Sequence, residues 1–181
     1  MRKYLMSFAA LAAMLLLAGC GNKAANTSEG GADEPAATDV AYETFTVEKY
    51  GVSFEIPQGM HRTDNPVMDN GACFSMVPEG SGDMAIDAAV DIGVYESMFI
   101  DNYTQEKVEE DFNESVPEDA TAKQLGDMEY TYAVEGEYIN EYHRVVFNGN
   151  RSINITVSYD DKYADKLGGD VREHIFQSLK Y

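Results

Sequence analysis

Phe45-Thr46-Val47-Glu48-Lys49-Tyr50-Gly51-Val52-Ser53-Phe54-Glu55-Ile56-Pro57 opens the patterned part of this 181-residue chain. Phe45 and Val47 alternate with polar neighbours, as do Val52, Phe54 and Ile56, and Tyr50-Gly51 lies between the two runs. A period of two marks strands with one covered face, and glycine between them supplies a turn. The stretch therefore predicts an antiparallel hairpin ending at Pro57. A loop from Gln58 to Asn70, containing Pro66, leads to a third strand over Ala72 to Val77. Pro78 and Gly80-Ser81-Gly82 close that strand. In the next, Met84, Ile86, Ala88, Val90, Ile92 and Val94 point one way, while Asp87 and Asp91 point the other.

The period then changes. Residues 102–114 predict a helix capped by Asp101 or Asn102, with Phe99, Tyr103, Val108 and Phe112 as its buried stripe and Pro117 beyond its end. Strand patterning returns with Met128, Tyr130, Tyr132 and Val134, then Tyr138 to Phe147. Asn148-Gly149 suits a type I′ turn pairing Phe147 with Asn150. The last strand carries Ile153, Ile155, Val157 and Tyr159. That register puts Tyr138, Tyr142 and Val146 on the face of Ile153 and Ile155. Glu141 and His143 fall beside Asn154 and Thr156 on the other face, where Val145 and Phe147 call for partial cover by a helix. A short turn over 161–167 breaks at Gly168-Gly169. Asp170 then caps a terminal helix that buries Val171, Ile175, Phe176 and Leu179. The expected fold class is α+β, a mainly antiparallel sheet flanked by helices. Residues 42–181 make a single domain, long enough to bury a core without disulfides.

Before that domain stand Arg2 and Lys3, an apolar run from Tyr4 to Leu17, and Leu17-Ala18-Gly19-Cys20. The run is shorter than the ~20 residues that span a bilayer, and its layout is that of a secretory signal. Leu17-Ala18-Gly19-Cys20 resembles the lipobox of bacterial lipoproteins. The resemblance implies a signal peptide at 1–19, cleavage before Cys20, and acyl chains on Cys20. It implies a place in the bacterial cell envelope, outside the cytoplasm and tied to membrane lipid. Gly21 and Asn22, where Asp would hold the protein at an inner membrane, imply the outer membrane if the host has one. Residues 20–41 read as the lipidated cysteine and a flexible linker. Small and polar residues with Pro35 give too little apolar surface to offset ordering, and a flexible chain of that length spans roughly 25 Å.

Removing residues 1–19 takes away Arg2 and Lys3 and no acid. It leaves 11 of the 13 basic residues against 32 acidic ones, a net charge of −21. Such a chain is repelled by nucleic acid and by anionic headgroups, so the lipid must do the holding.

The stretch Tyr50-Gly51-Val52-Ser53-Phe54-Glu55-Ile56-Pro57 resembles the opening hairpin of PsbP/Mog1-like domains. There a Gly-apolar-x-apolar-x-apolar-Pro pattern usually leads to a tryptophan. Met60 stands near that position, and the chain has no Trp. Ile175-Phe176-Gln177-Ser178-Leu179-Lys180 resembles the family's terminal helix, which often closes in a Ser-apolar-basic tripeptide. The resemblance implies an α/β/α sandwich and an accessory or interaction role.

Candidate chemistry is sparse. With Cys20 lipidated, Cys73 is the remaining thiol. A nucleophile needs a lowered pKa, a base and exposure, and Ala72 to Val77 supplies none, so Cys73 is expected to be buried. His61, His143 and His174 show no metal-ligand spacing, and no serine sits in a Gly-x-Ser-x-Gly elbow. A three-residue loop after Val134 would set His143 across from Glu129. Calcium needs six to eight oxygens from a loop folded around it. Asp160-Asp161-x-x-x-Asp165 lacks that spacing and leaves only weak metal candidates. Tyr130, Tyr132, Tyr138 and Tyr142 are expected on one sheet face, as a platform for a glycan or peptide or as core residues with hydroxyls at the rim. The leading expectation is a non-enzymatic envelope lipoprotein that engages a protein partner and carries no cofactor beyond the lipid on Cys20. A small-ligand or cation receptor comes next, and a thiol-dependent hydrolase using Cys73 and His143 third.

Overall fold

A computed structural model describes residues 40–63 and 69–181. The lipobox, Cys20 and the linker up to residue 39 lie outside the described residues, as do Asp64 and Pro66. The chain divides between Ala37 and Thr38, and the described residues belong to the second unit.

The opening stretch forms the expected hairpin. Strands β1 (Tyr42–Val47) and β2 (Val52–Pro57) pair antiparallel with Phe45 opposite Phe54, and Gly51 turns at φ +67°. The hairpin is a sheet of its own. Beside it a seven-stranded sheet is built from β3 (His61–Arg62), β4 (Gly71–Ser75), β5 (Ala88–Glu96), β6 (Thr121–Leu125), β7 (Glu129–Glu135), β8 (Asn140–Asn148) and β9 (Arg151–Tyr159). Its order is β3-β4-β5-β9-β8-β7-β6, antiparallel throughout. Helices α1 (Gln105–Ser115), α2 (Ala164–Leu167) and α3 (Gly169–Gln177) complete an α+β fold.

One face of the large sheet carries the main core. Val90, Ile92, Val94, Val146, Ile153, Ile155 and Val157 pack there against the hairpin's Val52, Phe54 and Ile56 and against Val171, Ile175 and Phe176 of α3. The hairpin is also tied to the C-terminus by hydrogen bonds. Ser53 and Lys180 exchange both backbone bonds, and Ser178 Oγ accepts from Glu55 N at 2.8 Å. A smaller core lies on the opposite face, where Val108 of α1 meets Tyr130, Val145 and Phe147. This is the partial helix cover that Val145 and Phe147 called for.

Several expectations need correction. The β5 strand begins at Ala88, not Met84. Asp87 folds back to accept from Met84 N at 3.0 Å, and residues 85–87 form a 3₁₀ turn that leaves Met84 and Ile86 exposed. Helix α1 is capped by Thr104, whose hydroxyl accepts from Lys107 N, so Asp101 and Asn102 precede the cap and Phe99 lies in the loop. Helix α3 starts from an extended Gly168, and Asp170 sits in its first turn rather than at its cap. The β8–β9 turn is centred on Gly149-Asn150. Gly149 takes φ +63° and Asn150 does not follow it to positive φ, the geometry of a type II′ turn. Phe147 therefore pairs with Ser152. The slip is by two positions, so the face assignments survive. Strand β6 carries no pattern because it is an edge strand exposed along its length.

Candidate functional site

The face turned toward α1 gathers the polar side chains. Register across β4, β5, β9, β8 and β7 sets Cys73, Asp91, Thr156, His143 and Tyr132 abreast, with Gly71, Gly93, Asn154, Val145 and Tyr130 in the neighbouring row. Helix α1 packs over the β7–β8 side of this face. Clefts flank β9: one of about 320 Å³ toward β4 and β5, the other of about 210 Å³ beside Asp111 and Ser115 of α1. Asn154 and Thr156 line both, and Asn154 Oδ1 is buried without a hydrogen-bond partner.

His143 is the most constrained group here. Its ring stacks on Tyr132 with centroids 4.3 Å apart and planes 11° from parallel. Nδ1 lies 3.0 Å from Thr156 Oγ1 and Nε2 3.3 Å from Glu141 Oε2. Arg172 and Glu173 of α3 share the groove beside it. The order hydroxyl, imidazole, carboxylate is that of a hydrolytic triad. Thr156, however, sits mid-strand in β9 with β5 on one side and β8 on the other. Its own backbone is spent on the ladder and so offers no N–H to an oxyanion. The arrangement links β7, β8 and β9 through the side chains of Tyr132, His143 and Thr156. Cys73 lies three strand spacings from His143, about 14 Å, so the thiol–imidazole pair is not formed. Cys73 is half-buried rather than buried, on the wall of the larger cleft.

Burial holds the His143 imidazole below its ordinary pKa, with Glu141 opposing more weakly. A group whose pKa is lowered on folding binds protons more readily in the unfolded chain. Stability should therefore be full above the ordinary histidine value near 6.5 and fall as pH drops below it. Urea melts of wild type and His143→Gln at pH 7.5 and pH 5.5 check this: the variant should lose less stability between the two. An equal loss would exclude His143 as the source.

The four tyrosines do not form one platform. Tyr130 and Tyr132 face α1, whereas Tyr142 pairs with Ala133 and faces α3. Arg172 lies over the Tyr142 ring, its guanidinium carbon 4.0 Å from the centroid. Tyr138 lies in the Gly136–Ile139 turn, 74% exposed. That turn has four residues, which sets His143 opposite Tyr132 and Glu129 opposite Val146 instead of His143. Glu129 accepts from Arg144, which also donates to the Phe176 carbonyl. Tyr130 donates to Asp111 at 2.6 Å, and burial with that carboxylate drives its pKa far up. Tyr159, buried beside Tyr142, is pushed up to about 12.

Two of the three weak metal candidates are hydrogen-bonded within the chain. Asp160 accepts from Lys162 N, and Asp161 accepts from Asn140 Nδ2 at 2.9 Å. Asp165 lies beside Val40, Met76 and Lys166. The Lys162 ammonium occupies the acidic cluster, 3.0 Å from Asp83, 3.7 Å from Asp87 and 3.9 Å from Asp160. Among the described residues no three His, Cys, Asp or Glu side chains converge as a metal would require. His61 is exposed on β3, and His174 Nε2 lies 2.6 Å from Glu55.

A feature outside the sequence expectations lies at the end of β5. Met98 is 89% exposed and Phe99 92%. Their loop is held rigidly. Ser97 N donates to Asn150 O at 2.9 Å, Ser97 Oγ accepts from Phe99 N and Ile100 N, and Tyr103 N donates to Gly149 O at 2.7 Å. The Phe99 spacing fits a helix stripe, and only the adjacency of Met98 and Phe99 between Ser97 and Asp101 marks a displayed pair.

Known structures give two likenesses. The solution structure of cyanobacterial PsbP (CyanoP) from Synechocystis is similar at 15% identity and a TM-score of 0.47, covering 83% of this chain and 97% of that one. A crystal structure from Bacteroides thetaiotaomicron is similar at 12% identity and a TM-score of 0.44, covering 71% of this chain and 44% of that one. No family model and no curated protein matches the chain. Neither likeness is close enough to carry a function or a site residue across.

Proposed function

We propose that this chain is a lipid-anchored, non-enzymatic accessory module of the bacterial cell envelope that engages a protein partner through the Met98–Phe99 loop. The lipobox-like Leu17-Ala18-Gly19-Cys20 supports the anchor, and the PsbP/Mog1-like hairpin at Tyr50–Pro57 supports the accessory role. The observation that carries the reading is the rigid display of two adjacent large apolar side chains, since interface hot spots centre on such anchors. The described chain enters at Val40, beside Met76, and Met76 N bonds Ala88 O at the start of β5. The loop follows the other end of β5. The two points are separated by about 26 Å of strand, so the loop lies at the end of β5 away from Val40. Exposed Asp101 beside it and the chain's acidity disfavour an anionic membrane as the surface met. No helix among the described residues is long and apolar enough to cross a membrane.

Photo-crosslinking tests the reading. A benzophenone amino acid at position 99, in the lipidated full chain, should trap one adduct of fixed mass in native membranes. The same probe at position 84, at the opposite end of β5, should not. Met98→Ser placed beside the probe should reduce the yield several-fold. No recurrent adduct at 99, or the same adduct from 84, overturns the loop as the contact.

A further inference from the structure

Five methionines lie among the described residues, in three kinds of surroundings. Met60 is buried in the main core. Met76 packs half-buried against that core, and Met128 against the smaller one. Met84 and Met98 stand in solvent, 65% and 89% exposed. An oxidant must reach the thioether sulfur, so exposure ranks the five and puts Met98 first. Its loop keeps it there. Ser97 Oγ accepts from the backbone N–H of Phe99 and of Ile100, and the bonds from Ser97 N to Asn150 O and from Tyr103 N to Gly149 O hold the loop on either side. Met98 is also half of the displayed apolar pair, beside Phe99. Oxidation there turns a flexible apolar side chain into a polar one at the point of display.

We propose that Met98 is a peroxide-sensitive modification site whose sulfoxide releases the loop from its partner. The release rests on the docking role given above to Met98 and Phe99; the site itself does not. The oxidant is hydrogen peroxide or an organic hydroperoxide. The sulfur attacks one peroxide oxygen and the O–O bond breaks. The other oxygen leaves with the proton of the first, as water from hydrogen peroxide. Sulfur loses two electrons and the peroxide gains them. Reversal needs two thiols, which become a disulfide while the sulfoxide oxygen departs as water. Outside the cytoplasm, where the lipobox-like segment would place the chain, the reducing glutathione of the cytosol is absent. A docked partner covers Met98, so peroxide takes the free chain, and the oxidised chain docks poorly. The sulfoxide oxygen set into an apolar contact is an acceptor left without a donor, and an affinity loss of about tenfold is expected. Met84 supplies an internal control. It is exposed as well, in the turn at the other end of β5, so its oxidation should leave docking alone.

Peptide mapping by mass spectrometry tests the site. The full chain in detergent micelles is treated with hydrogen peroxide and quenched at intervals. Met98 sulfoxide should form first, Met84 sulfoxide next, and Met60 sulfoxide about tenfold more slowly or less. Oxidation of Met98 no faster than of Met60 overturns the proposal. Crosslinking from the benzophenone at position 99 tests the release. Peroxide given to native membranes before irradiation should cut the adduct yield several-fold, and a methionine sulfoxide reductase should restore it. The treated-to-untreated ratio is the readout, which makes each variant its own reference. In Met98→Leu, apolar and without sulfur, that ratio should stay near one even though peroxide also reaches the partner. In Met84→Leu it should fall as in wild type. A ratio that falls equally in Met98→Leu places the damage in the partner and overturns the release, as does an unchanged yield when Met98 is fully sulfoxide. No adduct even from untreated wild type overturns the docking reading, and the release with it, while the peptide map still decides the oxidation site.

Discussion

Phe54→Ala should destabilise the domain by about 4 kcal/mol, the upper range for a fully buried phenylalanine. That lowers the thermal midpoint by roughly 10–15 °C for a domain of this size. Phe54 is fully buried. Its ring meets Phe45 at 5.9 Å and Phe74 at 6.3 Å, both edge-on, and Phe45 meets Phe74 at 4.9 Å. Phe45 and Phe54 belong to the two-stranded sheet and Phe74 to the seven-stranded one. The trio is thus an apolar joint between two sheets that share no ladder. Truncating Phe54 leaves a cavity where backbone pairing cannot help the walls collapse. Phe99→Ala is the matched control. It removes the same atoms from a 92% exposed position and should change stability by no more than about 0.5 kcal/mol. Urea and thermal melts followed by circular dichroism measure both. A loss below about 2 kcal/mol for Phe54→Ala would mean that the Ser53–Lys180 and Glu55–Ser178 bonds, not the aromatic joint, hold the hairpin.

The same contrast explains what the residues revealed and what they concealed. Val52, Phe54 and Ile56, like Ile153, Ile155 and Val157, each have one dry face, and burial writes a period of two into the sequence. Thr121–Leu125 is dry on neither face and leaves no pattern. Met84 and Ile86 keep the phase of the strand that follows, yet Asp87 caps the turn that lifts them into solvent. A local polar bond there outweighed the apolar alternation. The Asn148-Gly149 dipeptide indicated a hairpin correctly, and the glycine took the first central position instead of the second. The polar face was out of reach for a different reason. Cys73, Asp91, Thr156, His143 and Tyr132 come from five strands, and their adjacency depends on the order β4-β5-β9-β8-β7. Period and turn chemistry fix neighbours along the chain, whereas that order is set by how the whole core closes. The expectation that Tyr130 and Tyr142 share a face fails for a local reason. The loop length between β7 and β8 decided their relation, and Gly136-Glu137-Tyr138-Ile139 closes with four residues.

On the proposed anchoring, Cys20→Ser should move the protein from the membrane fraction to the soluble fraction almost completely. Each acyl methylene buried in a bilayer contributes about 0.8 kcal/mol, and a single chain holds only marginally, so several chains on Cys20 make the difference between transient and durable attachment. Little else in the sequence would replace them. The mature chain would carry −21, with 11 basic residues scattered among 32 acidic ones, and an anionic surface repels it. Labelled palmitate should enter wild type and not Cys20→Ser. The wild-type N-terminal peptide should begin at an acylated Cys20, and the variant should retain residues 1–19 or lose them elsewhere. Washing membranes at 1 M salt adds a second discrimination, because salt strips charge-held protein and spares lipid-held protein. If Cys20→Ser stayed with washed membranes, the attachment would have to come from the folded domain. Met98 and Phe99 would then be the groups to remove, and a combined Cys20→Ser, Met98→Ser, Phe99→Ser chain would show whether that loop inserts into lipid. Release by Cys20→Ser alone leaves those two side chains free for a protein, the role in which a tether from Cys20 and a rigid apolar tip at the far end of β5 act together.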